Sequence, residues 1–295
     1  MSKISVRIYE NCKHGRFAHL ASDEIIGFSL GKYGEWGEHE IDILSRYIPT
    51  GGTVLDVGAN IGTHSLAFAR LVGAEGTVVA IEGNPVTFGL LSHNVIANDL
   101  AGRVLPIMML AGTQPGIIYV PLHPTATDNL GAKSFRNAAY GERQPETASV
   151  QGVPMCPVDS LNLSRCDLIK IDVEGMEPEV LAGCRASIEK HHPVVYFEFA
   201  ARDLNILKRS FDILSECGYD LRYHYANPYS QNNFRSDPEN AFAGTMELNI
   251  LACPHGADAP QYLPRVTIPL EIPEKPAIRD ALKGETISDY LAGRK

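Results

Sequence analysis

The groups in this chain best placed to do chemistry are carboxylates that stand at the ends of short apolar runs. The segment Thr53 to Gly62 reads TVLDVGANIG. Its β-branched and apolar side chains suit a buried strand that carries Asp56 near its end. Gly58 and Gly62 then let the backbone turn tightly and approach a ligand with no Cβ in the way. The spacing of Gly58, Asn60 and Gly62 differs from the GxGxxG of dinucleotide binders, so a different nucleotide-like cofactor is expected. A second run, Thr77 to Ile81, ends in Glu82, with Asn84 two residues beyond. In a strand-helix-strand unit a carboxylate at that position faces the crevice, where it can accept hydrogen bonds from the two hydroxyls of a ribose. A third run, DLIKIDVEG from Asp167 to Gly175, delivers Asp172 and Glu174. Three strands therefore point acidic groups toward one edge.

The elements that must hold these groups can be placed from periodicity. Ile4 to Tyr9 and Glu24 to Leu30 alternate weakly, which predicts a small β-rich extension over residues 1–37. A helix is expected from Glu38 to Tyr47, with Ile41, Leu44 and Ile48 on one face, stopping before Pro49-Thr50-Gly51-Gly52. Further helices are expected over Thr63 to Val72 and over Pro85 to Asn98, the latter with proline in its first turn. Strands follow at Val104 to Met108, Leu168 to Val173 and Val194 to Phe199, with helices at Pro178 to Cys184 and Leu204 to Cys217. Tyr219 to Tyr225 and Met246 to Ala252 read as a closing antiparallel pair. Residues 112–153 break the strand-helix rhythm and read as an insertion over the cofactor edge, as lids and binding loops often do. The main domain is thus expected over 38–255, and 256–295 reads as a proline-rich, weakly helical tail with no chemistry of its own.

Composition narrows the function. The chain has 295 residues, 44% of them hydrophobic, enough for one large α/β core. A formal net charge of −9 and the lack of any basic run argue against a nucleic-acid partner, because phosphate backbones are held largely by Lys and Arg. The six cysteines are scattered without a CxxC pair, which suits reduced structural thiols. The amino terminus has no long apolar stretch, so neither a signal peptide nor a membrane span is expected, and a cytoplasmic location follows.

Taken together, DVGANIG at 56–62, EGNP at 82–85 and KIDVEG at 170–175 closely resemble the motifs of the FkbM-type S-adenosylmethionine-dependent methyltransferases. NLGAKSF at 129–135 and VDSL at 158–161 also look like family motifs, and the resemblance covers roughly Gly34 to Phe199. Gly83 stands where the family commonly has proline, and Met176 where it commonly has alanine. Neither departure removes a polar ligand. The resemblance implies a Rossmann-like class I methyltransferase fold, a seven-stranded, mostly parallel sheet with helices on both faces, and S-adenosylmethionine as cofactor. It also implies an acceptor hydroxyl on a sugar, a glycan or a secondary metabolite. Asp56, Gly58, Asn60, Gly62, Glu82 and Asn84 become the expected cofactor residues, although Asp56 could serve the turn alone and Gly58 and Gly62 helix-strand packing. Glu35 joins them if Tyr33, Glu35 and Trp36 cover the methionine end, the alternative being a capping aromatic cluster.

Methyl transfer from a sulfonium is an in-line displacement, so the acceptor atom must be held behind the methyl carbon. A hydroxyl needs in addition a base, a metal or a strongly polarising site. Asp172 and Glu174 are the catalytic candidates by location. Asp172 has the alternative of capping a turn or binding the cofactor's amino group, and Glu174 that of pairing with Lys170 or a helix start. Glu198 lies in the apolar run VVYFEFA, where a charge is costly without a partner, so it contacts either substrate or a backbone group. His39, His64 and His123 are possible proton acceptors, but none is assigned a catalytic role. A divalent cation would need oxygens such as those of Asp172, Glu174, Asp128 or Asn129. Metal-independent activity is expected. N-methylation of a small amine or peptide, and a non-catalytic scaffold that keeps the cofactor fold, are the alternatives, because a neutral amine is already nucleophilic without a base.

Overall fold

The computed structural model describes residues 5–121, 150–199, 203–267, 270 and 272. Twelve strands are present among them: β1 (Val6–Cys12), β2 (Gly15–Leu20), β3 (Thr53–Val57), β4 (Thr77–Glu82), β5 (Val104–Met108), β6 (Leu110–Ala111), β7 (Gly116–Pro121), β8 (Val150–Cys156), β9 (Leu168–Ile171), β10 (Val194–Glu198), β11 (Tyr219–Ala226) and β12 (Glu247–Pro254). Seven form one sheet in the order β11-β12-β10-β9-β3-β4-β5. β3 pairs in parallel with β4 and β9, and only β12 runs against its neighbours β10 and β11. The expected seven-stranded, mostly parallel, Rossmann-like sheet is therefore present.

Alternation along the strands explains why both faces are covered. Val54, Val78, Ala80 and Leu168 join one apolar cluster with the helices Glu38–Leu44, Thr63–Val72 and Pro85–Ala97. Leu55, Val57, Val79, Ile81, Ile169 and Ile171 join a second cluster, against the helices Glu177–Gly183, Arg185–His191 and Leu204–Glu216. Successive side chains of a strand point to opposite faces, so a strand buried on both sides reads as a continuous apolar run.

The sheet reverses its winding at β3. The chain leaves β3 toward β4 and β5, then returns to pair β9 on the other side. A crevice forms beyond the carboxyl ends of the strands at such a switch point. The hairpin β1-β2 sits over one side of this edge, where Asn94 clamps it. Asn94 Oδ1 accepts from the Ala18 amide at 2.7 Å, while its Nδ2 donates to the carbonyls of Ala18 and Ile61.

Three local expectations change. The segment expected as extended over 24–30 is helical from Ile26 on: Ile26–Lys32 forms a short helix whose Ser29 and Leu30 are buried. A helix at Arg185–His191 was not foreseen, and its apolar anchor is Ile188, fully buried. The described parts of the 112–153 insertion are strands, with β8 pairing both β6 and β7 in a small separate sheet. The rest of that insertion, including NLGAKSF, lies outside the described residues, as does the helix expected at 277–291. The start of the C-terminal tail packs on the core: Ala259, Leu263 and Val266 are buried. All six cysteines are free thiols, and among the described residues no helix is long and apolar enough to cross a membrane.

Candidate active site

The glycine-punctuated turn after β3 is built by close backbone approach. Gly58 has φ +81°, and a Cβ on it would collide with the carbonyl oxygen of Asp172. Its amide and that of Ala59 both donate to the Ile81 carbonyl at 2.9 Å, which ties the turn to β4. Asn60 follows in the left-handed region at φ +50°, a conformation that Asn tolerates better than most residues. Gly62, at φ +90°, starts the helix Thr63–Val72, and a Cβ there would press on Leu91. Gly62 thus serves packing and lines no hollow of the crevice.

Glu82 holds this loop from the end of β4. Its Oε2 accepts from the Asn60 amide at 2.8 Å and its Oε1 from the Asn84 amide at 2.6 Å. Burial raises its pKa, partly offset by these donors. Asn84 caps the helix Pro85–Ala97 by accepting from the Val86 amide. It reaches the crevice only through Glu82. A narrow slot lies here, with Gly58, Asn60 and Glu82 on one side and the apolar side chains of Ile81, Met109, Leu110 and Met176 around it.

A larger hollow of about 300 Å³ adjoins the slot. Asn60, Asp172 and Glu174 line both. Asp172, Glu174 and Glu198 each offer a carboxylate oxygen, and these oxygens lie within 4.8 Å of one another. Among the described residues this is the group with the oxygens that a hard divalent cation would need. Burial, the neighbouring Asp172 and the hydrogen bond between the two carboxyl groups push the pKa of Glu198 up. Burial against Asp172 and Glu177 brings Glu174 to about 7, and its backbone sits at φ +53°, a strained conformation for a glutamate. Asp172 is held below the usual carboxylate range despite burial, chiefly by Lys170, whose Nζ lies 3.1 Å from its Oδ2.

Asp56 lies beneath this arrangement and lines neither hollow. It is fully buried, accepts from Ser65 Oγ at 2.5 Å and stands 3.7 Å from Lys170 Nζ. Its carboxylate therefore reaches the crevice through Lys170. Glu35 is also set apart: its Oε2 accepts from the Phe234 amide at 2.8 Å, it lies 3.8 Å from Lys13 Nζ, and it lines neither hollow. Its neighbour Trp36 does line the larger one. The structure thus brings Gly58, Asn60, Glu82, Asp172 and Glu174 together, while Asp56, Gly62, Asn84 and Glu35 support the site from behind or from the side.

Several wall residues were not singled out from sequence. Lys170 shares a strand face with Asp172, two residues on, a relation that period-2 alternation makes readable. Glu40, at the start of the helix Glu38–Leu44, accepts from Asn249 Nδ2 at 2.9 Å and lies 2.8 Å from His64 Nε2. In sequence it sits in the polar stretch WGEHE, which looks like an exposed helix face. Glu247 starts β12, at the far end of the chain. Of the weighed histidines, His64 lines the hollow. His39 does not; its Nδ1 accepts from the Asn227 amide, and burial lowers its pKa to about 4. His123, Asp128 and Asn129 lie outside the described residues.

Known proteins match this sequence over the same region. The profile of the methyltransferase FkbM domain matches residues 56–221. Methyltransferase sdnD of Sordaria araneosa is 29% identical over 170 residues, which are 50% of this chain and 64% of that protein. Hexuronic acid methyltransferase AglP of Haloferax volcanii is 29% identical over 140 residues, 48% of this chain and 53% of the relative. The matched segments thus span between half and two thirds of these curated relatives. Among solved structures, an FkbM methyltransferase of Methylobacillus flagellatus superposes with a TM-score of 0.45 at 18% identity, covering 69% of this chain and 44% of the other.

Proposed function

The chain belongs to the FkbM methyltransferase family, and on that premise we propose that it is an S-adenosylmethionine-dependent O-methyltransferase acting on a hydroxyl of a sugar, a glycan or a secondary metabolite. The observation that carries this reading is the pair of adjoining hollows whose common wall is Asn60, Asp172 and Glu174. A cofactor in one and an acceptor in the other meet at that wall.

The residues present suit the cofactor. The slot is apolar where an adenine would lie, Gly58 lets the turn after β3 pack directly against the Asp172 carbonyl at the slot's wall, and Glu82 keeps a second lone pair on each oxygen for ribose hydroxyls. The bound cofactor supplies an electrophilic methyl group on a sulfonium. The protein's share is orientation, which contributes about 7–11 kcal/mol in favourable model reactions, and removal of the hydroxyl proton. Glu174 is the group best tuned to take that proton, since a base works best with a pKa near the working pH. Asp172 stays ionised beside it and favours the acceptor O–H pointing its proton into the carboxylate group. The sugar class of acceptor is drawn from the printed name of the Haloferax relative.

Two measurements test the proposal. Calorimetry with S-adenosylmethionine and S-adenosylhomocysteine should show saturable binding of both. Mass spectrometry of reactions offered hydroxyl and amine acceptors should then show a methylated hydroxyl product. Methylation of amines alone would replace the reading with N-methylation, and cofactor binding without transfer to either class would make the chain a scaffold.

A further inference from the structure

The larger hollow presents hydrogen-bond acceptors in excess. Glu40, Asp172, Glu174, Glu198 and Glu247 all line it. Among the described residues, the two basic ones in its wall are already engaged by protein carboxylates. Lys170, 4% exposed, lies between Asp172 at 3.1 Å and Asp56 at 3.7 Å, and His64 Nε2 lies 2.8 Å from Glu40. Two neutral donors of the wall are turned the same way. Asn249 Nδ2 donates to Glu40, while the Tyr196 hydroxyl lies 2.7 Å from His224 Nδ1 and 3.4 Å from Glu40. Among the described wall residues carboxyl oxygen is therefore the most abundant polar group facing an incoming molecule, which matches hydroxyl or ammonium donors and disfavours an anion.

Burial, together with acidic neighbours, pushes the pKa of Glu198 and of Glu247 up. Glu40 and Asp172 nevertheless stay below the usual carboxylate range, Glu40 through its contact with His64 and Asp172 through Lys170. A carboxylate or phosphate on the acceptor would meet these two charges with no unengaged cation among the described wall residues.

Size and aromatic surface add a second constraint. A volume of about 300 Å³ is at the small end for small-molecule sites, enough for one ring but not for a chain of them. Trp36 lines the same hollow, its ring fixed edge-on against Phe242 at 6.0 Å between centroids. The electron-rich face of an indole attracts the weakly positive C–H face of a pyranose, and attracts an ammonium more strongly.

Resting on the methyltransferase reading above, we propose that the acceptor unit entering this hollow is a single sugar ring without an anionic group, neutral or amino-substituted, its hydroxyls on the carboxyl oxygens and its ring against Trp36. This separates the chain from a uronic acid acceptor of the kind named for its Haloferax relative.

Trp36 is the one tryptophan of the chain, so its fluorescence reports directly on the hollow. The protein saturated with S-adenosylhomocysteine is titrated with galactose, glucosamine and glucuronate. Saturable changes are expected with the first two, and glucuronate should bind at least about tenfold more weakly, the effect of one uncompensated like charge at a partly screened site. Glu174→Lys should narrow or invert that order, with S-adenosylhomocysteine affinity as the check that the variant folds. Glucuronate binding as tightly as glucosamine, or no saturable change with any of the three sugars, overturns the proposal. Failure of S-adenosylhomocysteine itself to bind would instead overturn the methyltransferase reading, so the two failures are distinguishable.

Discussion

Replacing Glu82 by glutamine tests the cofactor placement with almost no change of shape. The carboxylate accepts two backbone amides, Asn60 at 2.8 Å on one oxygen and Asn84 at 2.6 Å on the other. A glutamine amide can accept on one side only, so whichever way it turns, its NH₂ faces one backbone N–H donor. One hydrogen bond to a charged acceptor is lost, and such bonds contribute about 1.5–3 kcal/mol. That corresponds to roughly 10- to 150-fold in an equilibrium constant. The loss divides between the fold, through the loop at Asn60 and the helix cap at Asn84, and the ribose that the same oxygens are placed to receive. Urea denaturation measures the first part and calorimetry with S-adenosylhomocysteine the second. We expect cofactor affinity to fall by part of that range, more than about twofold, while the variant remains folded. If the urea midpoint drops but affinity stays within about twofold of the parent, well under 1 kcal/mol, Glu82 only braces the loop and the placement of the ribose is refuted.

Four further outcomes follow from the same geometry. Asp172→Asn should lower turnover by about 10²-fold or more, the scale of a positioned proton-handling group, and change S-adenosylhomocysteine affinity far less; equal losses in both would move Asp172 from the chemistry to the cofactor. Gly58→Ala should cost at least about 1–3 kcal/mol in urea denaturation, from the left-handed backbone alone, because its Cβ also collides with the Asp172 carbonyl; a variant as stable as the parent would mean that the turn is not this tight. Glu35 has its pKa raised by burial from 4.5 to about 7, so the folded chain binds its proton more tightly, and the stability this gives is present below pH 4.5 and lost as pH rises through about 7. Glu35→Gln should flatten that part of the stability profile, and an unchanged slope would refute the shift. Activity should survive chelation, and a complete loss restored by magnesium would show that Asp172, Glu174 and Glu198 hold a cation.

Much of this was readable from the residues alone. The apolar runs that became β3, β4, β9 and β10 are buried on both faces, so they stand out without any partner being known. Carboxylates at the ends of such strands, and glycines in the turn after the first, are set by local chemistry: a strand can end in a charge only where the sheet opens to a crevice, and Gly58 is required by a positive φ and a carbonyl that leaves no room for a Cβ. The sequence by itself therefore determined the strands of the main sheet and most of the helices between them, and the edge at which the carboxylates gather. Only the tertiary structure decided which carboxylates face the hollow and which stand behind it. Asp56 and Asp172 look alike as strand-end acids, but Lys170 lies between them and only Asp172 lines the cavity. Glu40, Glu198 and Glu247 come from a helix before the sheet and from two strands late in the chain, and they meet because β10 and β12 pair beside β9. Charge in a cavity is a sum over residues distant in the chain, and no periodicity or motif encodes that sum.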